Sequence, residues 1–237
     1  MRRFYAPKVN SEANNVTLNE DETRHLRDVL RLRLGERINV FDGDGAEFLG
    51  EIIEIGKKET SLKILEHVSP LSPESTLDLT LAIALLKGEK FDLVIQKAVE
   101  LGVTTLVPLE TMRCDVKLKD SGKKIERWRK IVLEASKQSG RARLMKIEEP
   151  VALKAFLKNA KGAVLFSERN GESFSSIAPG KQITAIIGPE GGWDDSELDA
   201  ARERGTQIVT LGGRILRAET AAISIAAVLQ HRFGDLA

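Results

Sequence analysis

The chain has 237 residues, 42% of them hydrophobic and 30% charged, with a formal net charge of +1. That is the composition of a globular protein of one large or two modest domains, and no apolar run reaches the length of a bilayer span. The single cysteine, Cys114, excludes an intrachain disulfide, and with three scattered histidines (His25, His67, His231) it makes no zinc site, so no metal is expected.

In chain order, MRRFYAPKVN carries two arginines but no apolar stretch behind them. A signal peptide is therefore not expected, and the reading is a cytoplasmic protein. NEDETRHLRDVLRL (19–32) reads as a helix, with Asn19 as N-cap and acids in its first turn. Residues 37–68 read as three strands with turns at Asp42–Gly45 and Gly56–Glu59. Short strands with glycine turns suggest a small β-barrel over 1–70. SPLSPES (69–75) reads as a linker into a second domain, 75–237.

From Leu77 the pattern alternates. LDLTLAIAL, TTLVPL, GAVLFSE, QITAIIG and TQIVTLG read as strands, with helices between them at 88–101, 122–139, 151–160, 194–204 and 218–234. This is the α/β class, a mostly parallel sheet with helices on both faces. Helix 122–139 would bury Ile125, Trp128, Val132 and Ala135. It lies in a marked charge asymmetry. Twelve Lys or Arg stand against four Asp or Glu from Arg113 to Lys146, a balance of +8 that leaves the rest of the chain at −7. Such a stretch suits a polyanionic partner, or is the solvent face of that helix.

Ligands of parallel sheets bind beyond the carboxyl ends of the strands. Three such ends are unusual here: LFSERNGE (165–172), IIGPEGGWDDSEL (186–198) and LGGRILRAETAA (211–222). Their glycines let backbone approach a ligand closely. Asp194 or Asp195 and Ser196 can cap the helix that follows, with Glu197 in its first turn. The Gly-Lys-Ser/Thr of a P-loop is absent, GDGAEF (43–48) fails the dinucleotide pattern, and no G-x-S-x-G elbow occurs. The residues alone lead to a small-molecule site of unassigned chemistry.

The motifs MRRFY, HLRDVLRLRLGE (25–36), VFDGDGAEF (40–48), QKAVELGV (96–103), EASKQSGRAR (134–143), IGPEGGW (187–193) and LGGRILRAETAA resemble the RsmE family of ribosomal RNA methyltransferases, within the SPOUT (trefoil-knot) superfamily, over nearly the whole length. The resemblance implies an N-terminal PUA-like RNA-binding β-barrel and a C-terminal knotted α/β domain. It also implies a homodimer, S-adenosyl-L-methionine as methyl donor, and methylation of N3 of one uridine in 16S ribosomal RNA. The cofactor-binding residues it implies are Phe166, Ser167 and Glu168; Gly188, Pro189, Glu190 and Gly191; and Leu211, Gly212, Ile215, Leu216, Arg217, Thr220 and Ala221. A SPOUT methyltransferase acting on another nucleotide, and a non-catalytic RNA-binding relative, are the alternative readings. So is an α/β enzyme acting on a small molecule, such as an oxidoreductase.

Uracil N3 carries a proton, so its methylation calls for a base or for stabilisation of the anion. The candidate bases are Glu190 and Glu219, and the candidate anion stabilisers Arg113 and Arg217, with Arg217 near enough to pair with Glu219. Glu219 can equally serve its helix start. Expected RNA contacts are Arg2, Arg3, Lys8, His25, Arg31 and Arg33 in the first domain, and Arg113, Lys137, Gln138, Arg141 and Arg143 in the basic stretch, since arginine's planar fork suits phosphate. Phe4 and Tyr5 are expected to pack the barrel rather than stack on a base.

Overall fold

The computed structural model describes residues 2–7, 9, 14–116, 122–160 and 162–236. Contacts divide the chain into two compact units, Met1–Glu74 with Ser136–Leu144, and Ser75–Ala135 with Met145–Ala237.

The first unit is a curled five-stranded half-barrel. Its strands are β1 (Arg3–Tyr5), β2 (Asn15–Leu18), β3 (Arg37–Phe41), β4 (Glu47–Ile55) and β5 (Thr60–Val68), in the spatial order β1-β3-β4-β5-β2. All neighbours are antiparallel except β1 and β3. Two register shifts between β4 and β5, at Leu49/Gly50 and Ile52/Glu54, bend the sheet as bulges do. Phe4, Val16, Leu18, Leu26, Leu32, Ile38, Val40, Ile52 and Leu62 fill its core. Phe4 is thus a core residue, as expected. The Asn19 side chain accepts from the Glu22 backbone N–H and starts helix α1 (Glu20–Arg24), which runs on into one π-helical turn, His25–Val29. The helix expected over 19–32 stops there, because Arg31 takes a left-handed backbone (φ 53°). The three-residue β1 and four-residue β2 are not marked in the sequence, because neither lies in an apolar run bounded by turn residues as β10 and β13 do.

The second unit is an eight-stranded parallel sheet. Its elements in chain order are β6 (Asp78–Ala84), α2 (Lys90–Glu100), β7 (Thr105–Glu110), α3 (Gly122–Ser139, whose last turn belongs to the first unit), β8 (Lys146–Ile147), β9 (Val151–Ala152), α4 (Leu153–Phe156), β10 (Ala163–Phe166), β11 (Glu172–Ser173), β12 (Gln182–Ile187), α5 (Asp195–Glu203), β13 (Gln207–Thr210) and α6 (Ala218–Phe233). The strand order is β11-β13-β10-β12-β6-β7-β8, with β9 also on β7. Ala82, Val107, Leu109, Leu165, Ile186 and Ile208 form one buried cluster with Leu153, Leu157, Leu198 and Ala201, the layer contributed by α4 and α5. Side chains alternate along a strand, so Leu81, Ile83, Ala185 and Ile187 face the other way, where α6 meets β12 and β6 and packs on α2. The strands β6, β7, β10, β12 and β13 stand where the five apolar runs place them. The expected helix 151–160 is a correction: Val151 and Ala152 instead pair with Leu109 and Glu110, leaving a single helical turn. Helix α3 buries Ile125, Trp128, Val132 and Ala135 as its apolar spacing requires.

Candidate active site

The strands β10, β12 and β13 are adjacent, and each ends in one of the three unusual loops. Together with the start of α6 these loops wall a cavity of about 480 Å³, within the usual range of small-molecule sites. Phe166, Ser167 and Glu168 come from the first loop, and Gly188, Pro189, Glu190 and Gly191 from the second. Leu211, Ile215, Leu216, Arg217 and Ala221 come from the third loop and α6. Gly212 and Thr220 adjoin this set without lining the cavity. Gly192, Trp193 and Arg214 line it from within the three loops, and Lys90 and Ile225 line it from outside them, beyond what the loop motifs indicate.

Trp193 explains why the second loop needs glycine. Its indole is 1% exposed, and its Nε1 donates to the Phe166 carbonyl at 2.8 Å, tying the end of β10 to the loop after β12. A Cβ on Gly188 would lie 2.9 Å from the indole Cε2 and 3.0 Å from Nε1, so only glycine lets the ring lie flat there. Gly192 (φ +69°) closes a turn by donating to the Pro189 carbonyl at 3.0 Å. The Arg169 guanidinium reinforces the tie through the Trp193 carbonyl (3.0 Å) and Asp195 (2.9 Å). Beyond the loop, Asp194 and Glu197 form a reciprocal capping box at the start of α5.

The third loop is different. Among the described residues, none from 211 to 216 makes a backbone hydrogen bond, and nothing lies within 4 Å of a Cβ built on Gly212 or Gly213. Its main-chain donors and acceptors are therefore open to a ligand. Ile215 is 84% exposed, an unusual place for so apolar a side chain.

The charged groups at the cavity fall into two sets. Lys90, at the first turn of α2, bonds Glu190, and its Nζ is 3.9 Å from Glu219 Oε1. Glu219 is not among the residues that line the cavity, and its Oε2 is buried without a hydrogen-bond partner. The expected Arg217–Glu219 pair is a correction, since the cation facing Glu219 is Lys90. Arg214 and Arg217 line the mouth and have no ion pair among the described residues. Arg113 packs against Gly191 and pairs with Asp194 at 3.1 Å, outside the lining. The Ser196 hydroxyl and N–H, and then Arg113, hold the Asp194 carboxyl below its ordinary pKa. Burial pushes the Cys114 thiol up, away from thiolate chemistry. No group of three or more His, Cys, Asp or Glu among the described residues could hold a metal ion.

Two residues expected on an RNA face are corrections. Arg3 is buried, with a bidentate pair to Glu47 (3.0 and 2.9 Å) and bonds to the Ser136 and Arg141 carbonyls. Asn39 adds a bond to Glu47 at 2.8 Å. Arg141 is equally buried and pairs with Glu74 at 2.7 Å. Lys137 bonds Glu22. These cations hold 136–144 to the half-barrel, because a buried guanidinium needs a carboxylate beside it. Arg2, His25, Arg31, Arg33, Gln138 and Arg143 are exposed, Arg2 with a 2.6 Å bond to Glu36. Lys8 lies outside the described residues.

The family model of an RNA methyltransferase domain matches residues 73–230, and that of an RNA methyltransferase PUA domain matches 18–65. A ribosomal RNA small subunit methyltransferase E of Rickettsia conorii is 35% identical over 94% of this chain and 92% of its own length. The chain belongs to this RNA methyltransferase family. A Bacillus subtilis relative of the same name is 30% identical to this methyltransferase over 93% of the chain and 91% of its own. Among solved structures, a ribosomal RNA small subunit methyltransferase E from Neisseria gonorrhoeae bound to S-adenosyl methionine superposes with a TM-score of 0.92. It is 35% identical, and the match covers all of both chains. The PUA match falls on the half-barrel unit, and the methyltransferase match covers most of the parallel-sheet unit, including all three loops of the cavity.

Proposed function

We propose that this methyltransferase transfers a methyl group from S-adenosyl-L-methionine to N3 of one uridine in 16S ribosomal RNA. What carries the reading is the open loop 211–217, set against Glu190 and Lys90 across one cavity, in a chain of this family. The cavity suits the donor. Phe166, Leu211, Leu216 and Ile225 offer apolar walls to a purine, the unbonded backbone of 211–216 offers donors and acceptors to its edge, and Glu168 and Glu190 suit a cationic sulfur. Bound there, S-adenosylmethionine supplies an electrophilic methyl group. Its binding residues are those of the three loops, with Gly212 and Thr220 as supporting positions.

The chain's own residues supply the rest. Glu190 accepts the N3 proton, since it lines the cavity and is 31% exposed while Glu219 is outside the lining and 14% exposed. Arg217 stabilises the charge that develops on the uracil oxygens. Arg113 holds the turn that carries Glu190. The target base must be unstacked or single-stranded to enter. Residues 1–70 serve as the RNA-binding domain and 75–237 as the knotted catalytic domain. Arg2, Lys8, His25, Arg31, Arg33, Gln138 and Arg143 are the RNA contacts. The protein works as a homodimer in the cytoplasm, where its ribosomal substrate is made.

The test is methyl transfer from labelled S-adenosylmethionine to small subunits from cells lacking the enzyme, beside naked 16S RNA, with nucleoside mass spectrometry. The expected product is 3-methyluridine. Another methylated nucleoside would move the reading to a different base, and cofactor binding with no product on either RNA would defeat it.

A further inference from the structure

Lys90 stands where three segments converge on the cavity. It comes from the first turn of α2, Glu190 from the turn after β12, and Glu219 from the first turn of α6. Lys90 and Glu190 are about a third exposed, 36% and 31%, whereas Glu219 is 14% exposed. A glutamate on a turn next to two glycines has little to fix its rotamer. The ammonium of Lys90 gives it a fixed partner. Lys90 is itself held from behind by Glu219, whose Oε2 is sealed from solvent and has no hydrogen-bond partner. A buried carboxylate without a bond is costly unless a cation faces it, and Lys90 is that cation. One compact ammonium with three donors can serve two carboxylates, where a planar guanidinium commits to one.

Resting on the reading of Glu190 as the base, we infer that Lys90 is a positioning residue of the methyl-transfer site: it aims the Glu190 carboxylate into the cavity, and Glu219 anchors it for that task. Other charges nearby are already engaged or lie elsewhere. Lys87 pairs with Asp115 at 2.7 Å, Arg113 pairs with Asp194, and Arg214 and Arg217 are on the third loop.

The experiment compares Lys90→Met, Lys90→Arg, Glu190→Gln and the Lys90→Met/Glu190→Gln double variant. Turnover is counted as labelled methyl entering RNA, and S-adenosylmethionine affinity is measured separately by calorimetry. Loss of alignment at a reacting centre costs up to about 100-fold. Lys90→Met is therefore expected to lower kcat by about 10- to 100-fold, with KM for RNA and cofactor affinity within about threefold. Lys90→Arg recovers part of the loss, and Lys90→Met adds nothing in the Glu190→Gln background. The inference is overturned if cofactor affinity falls in step with turnover, if the loss is as large without Glu190, or if kcat is unchanged. Should Lys90→Met not fold, Glu219→Gln, which leaves Lys90 unanchored, is expected to lower kcat by a smaller factor, and an unchanged kcat there overturns the inference too. The product nucleoside is identified separately, so a product other than 3-methyluridine removes the uridine reading without touching this one.

Discussion

Replacing Trp193 by phenylalanine separates the two tasks of the indole. The benzene ring of phenylalanine still packs in the buried cluster with Leu165, Leu198 and Ile208, but the N–H that reaches the Phe166 carbonyl is lost. Depriving a buried carbonyl of its donor costs about 1–3 kcal/mol. The missing ring leaves roughly 40 Å³ of space, and at about 24 cal/mol per Å³ that adds about 1 kcal/mol. The expected destabilisation of the parallel-sheet unit is thus about 2–4 kcal/mol, read from urea unfolding followed by far-ultraviolet circular dichroism. The loops after β10 and β12 are no longer tied, so affinity for S-adenosylmethionine falls as well. A companion substitution tests the geometry directly. Gly188→Ala places a Cβ against Cε2 and Nε1 of the indole and costs about 1–3 kcal/mol by overpacking. A phenylalanine ring is attached at Cβ in the place of that five-membered ring, so the contacts are removed by Trp193→Ala and the cost is smaller in the Trp193→Ala background. Destabilisation by Trp193→Phe below about 0.5 kcal/mol, or a Gly188→Ala cost undiminished in the Trp193→Ala background, would refute the reasoning.

Three further outcomes follow from the same geometry. Arg3→Met strands the buried Glu47 carboxylate and lowers the stability of the half-barrel by about 3–5 kcal/mol; in an Arg3→Met variant kept folded at low temperature, the salt dependence of RNA binding stays that of wild type, whereas Arg143→Met lowers its slope. For pH, burial alone would raise the pKa of Glu47, but hydrogen bonds from Arg3 and Asn39 outweigh it and hold the carboxyl below its ordinary 4.5. A depressed folded-state pKa means stabilisation that is complete above the unfolded value and is lost as pH falls through the folded one, so half-barrel stability should fall below about pH 4.5 in wild type and lose this component in Glu47→Gln. Glu190→Gln removes the proposed base while keeping the side chain's size, and lowers turnover at saturating cofactor by about 10²- to 10⁴-fold; wild-type turnover in that variant assigns the proton to another group.

Two features of the site are legible in the amino-acid sequence itself. Long apolar runs bounded by glycines mark β6, β7, β10, β12 and β13, because a strand buried on both faces must be apolar throughout. The Asp194–Glu197 capping box is written in four consecutive residues. The motif resemblance added the family, which the comparisons support. Lys90 lay hidden because it is 100 residues from Glu190 and 129 from Glu219, and a lone lysine at a helix start carries no local signal. For Trp193, only its bond to the Phe166 carbonyl shows that the N–H matters.

Local chemistry thus determined the elements and their caps: periodicity, glycine conformation and capping act within one turn or strand, and a sequence displays them directly. The pairing of charges was decided by the tertiary structure alone. Arg3 in the first domain and Arg141 in the basic stretch read as RNA contacts, yet Glu47 and Glu74, 44 and 67 residues away, claim them in the interior. Arginine on a surface and arginine in a core are written with the same letter. Which one it becomes depends on the carboxylate that folding brings beside it, because in a low-dielectric interior only that partner can offset the cost of leaving water.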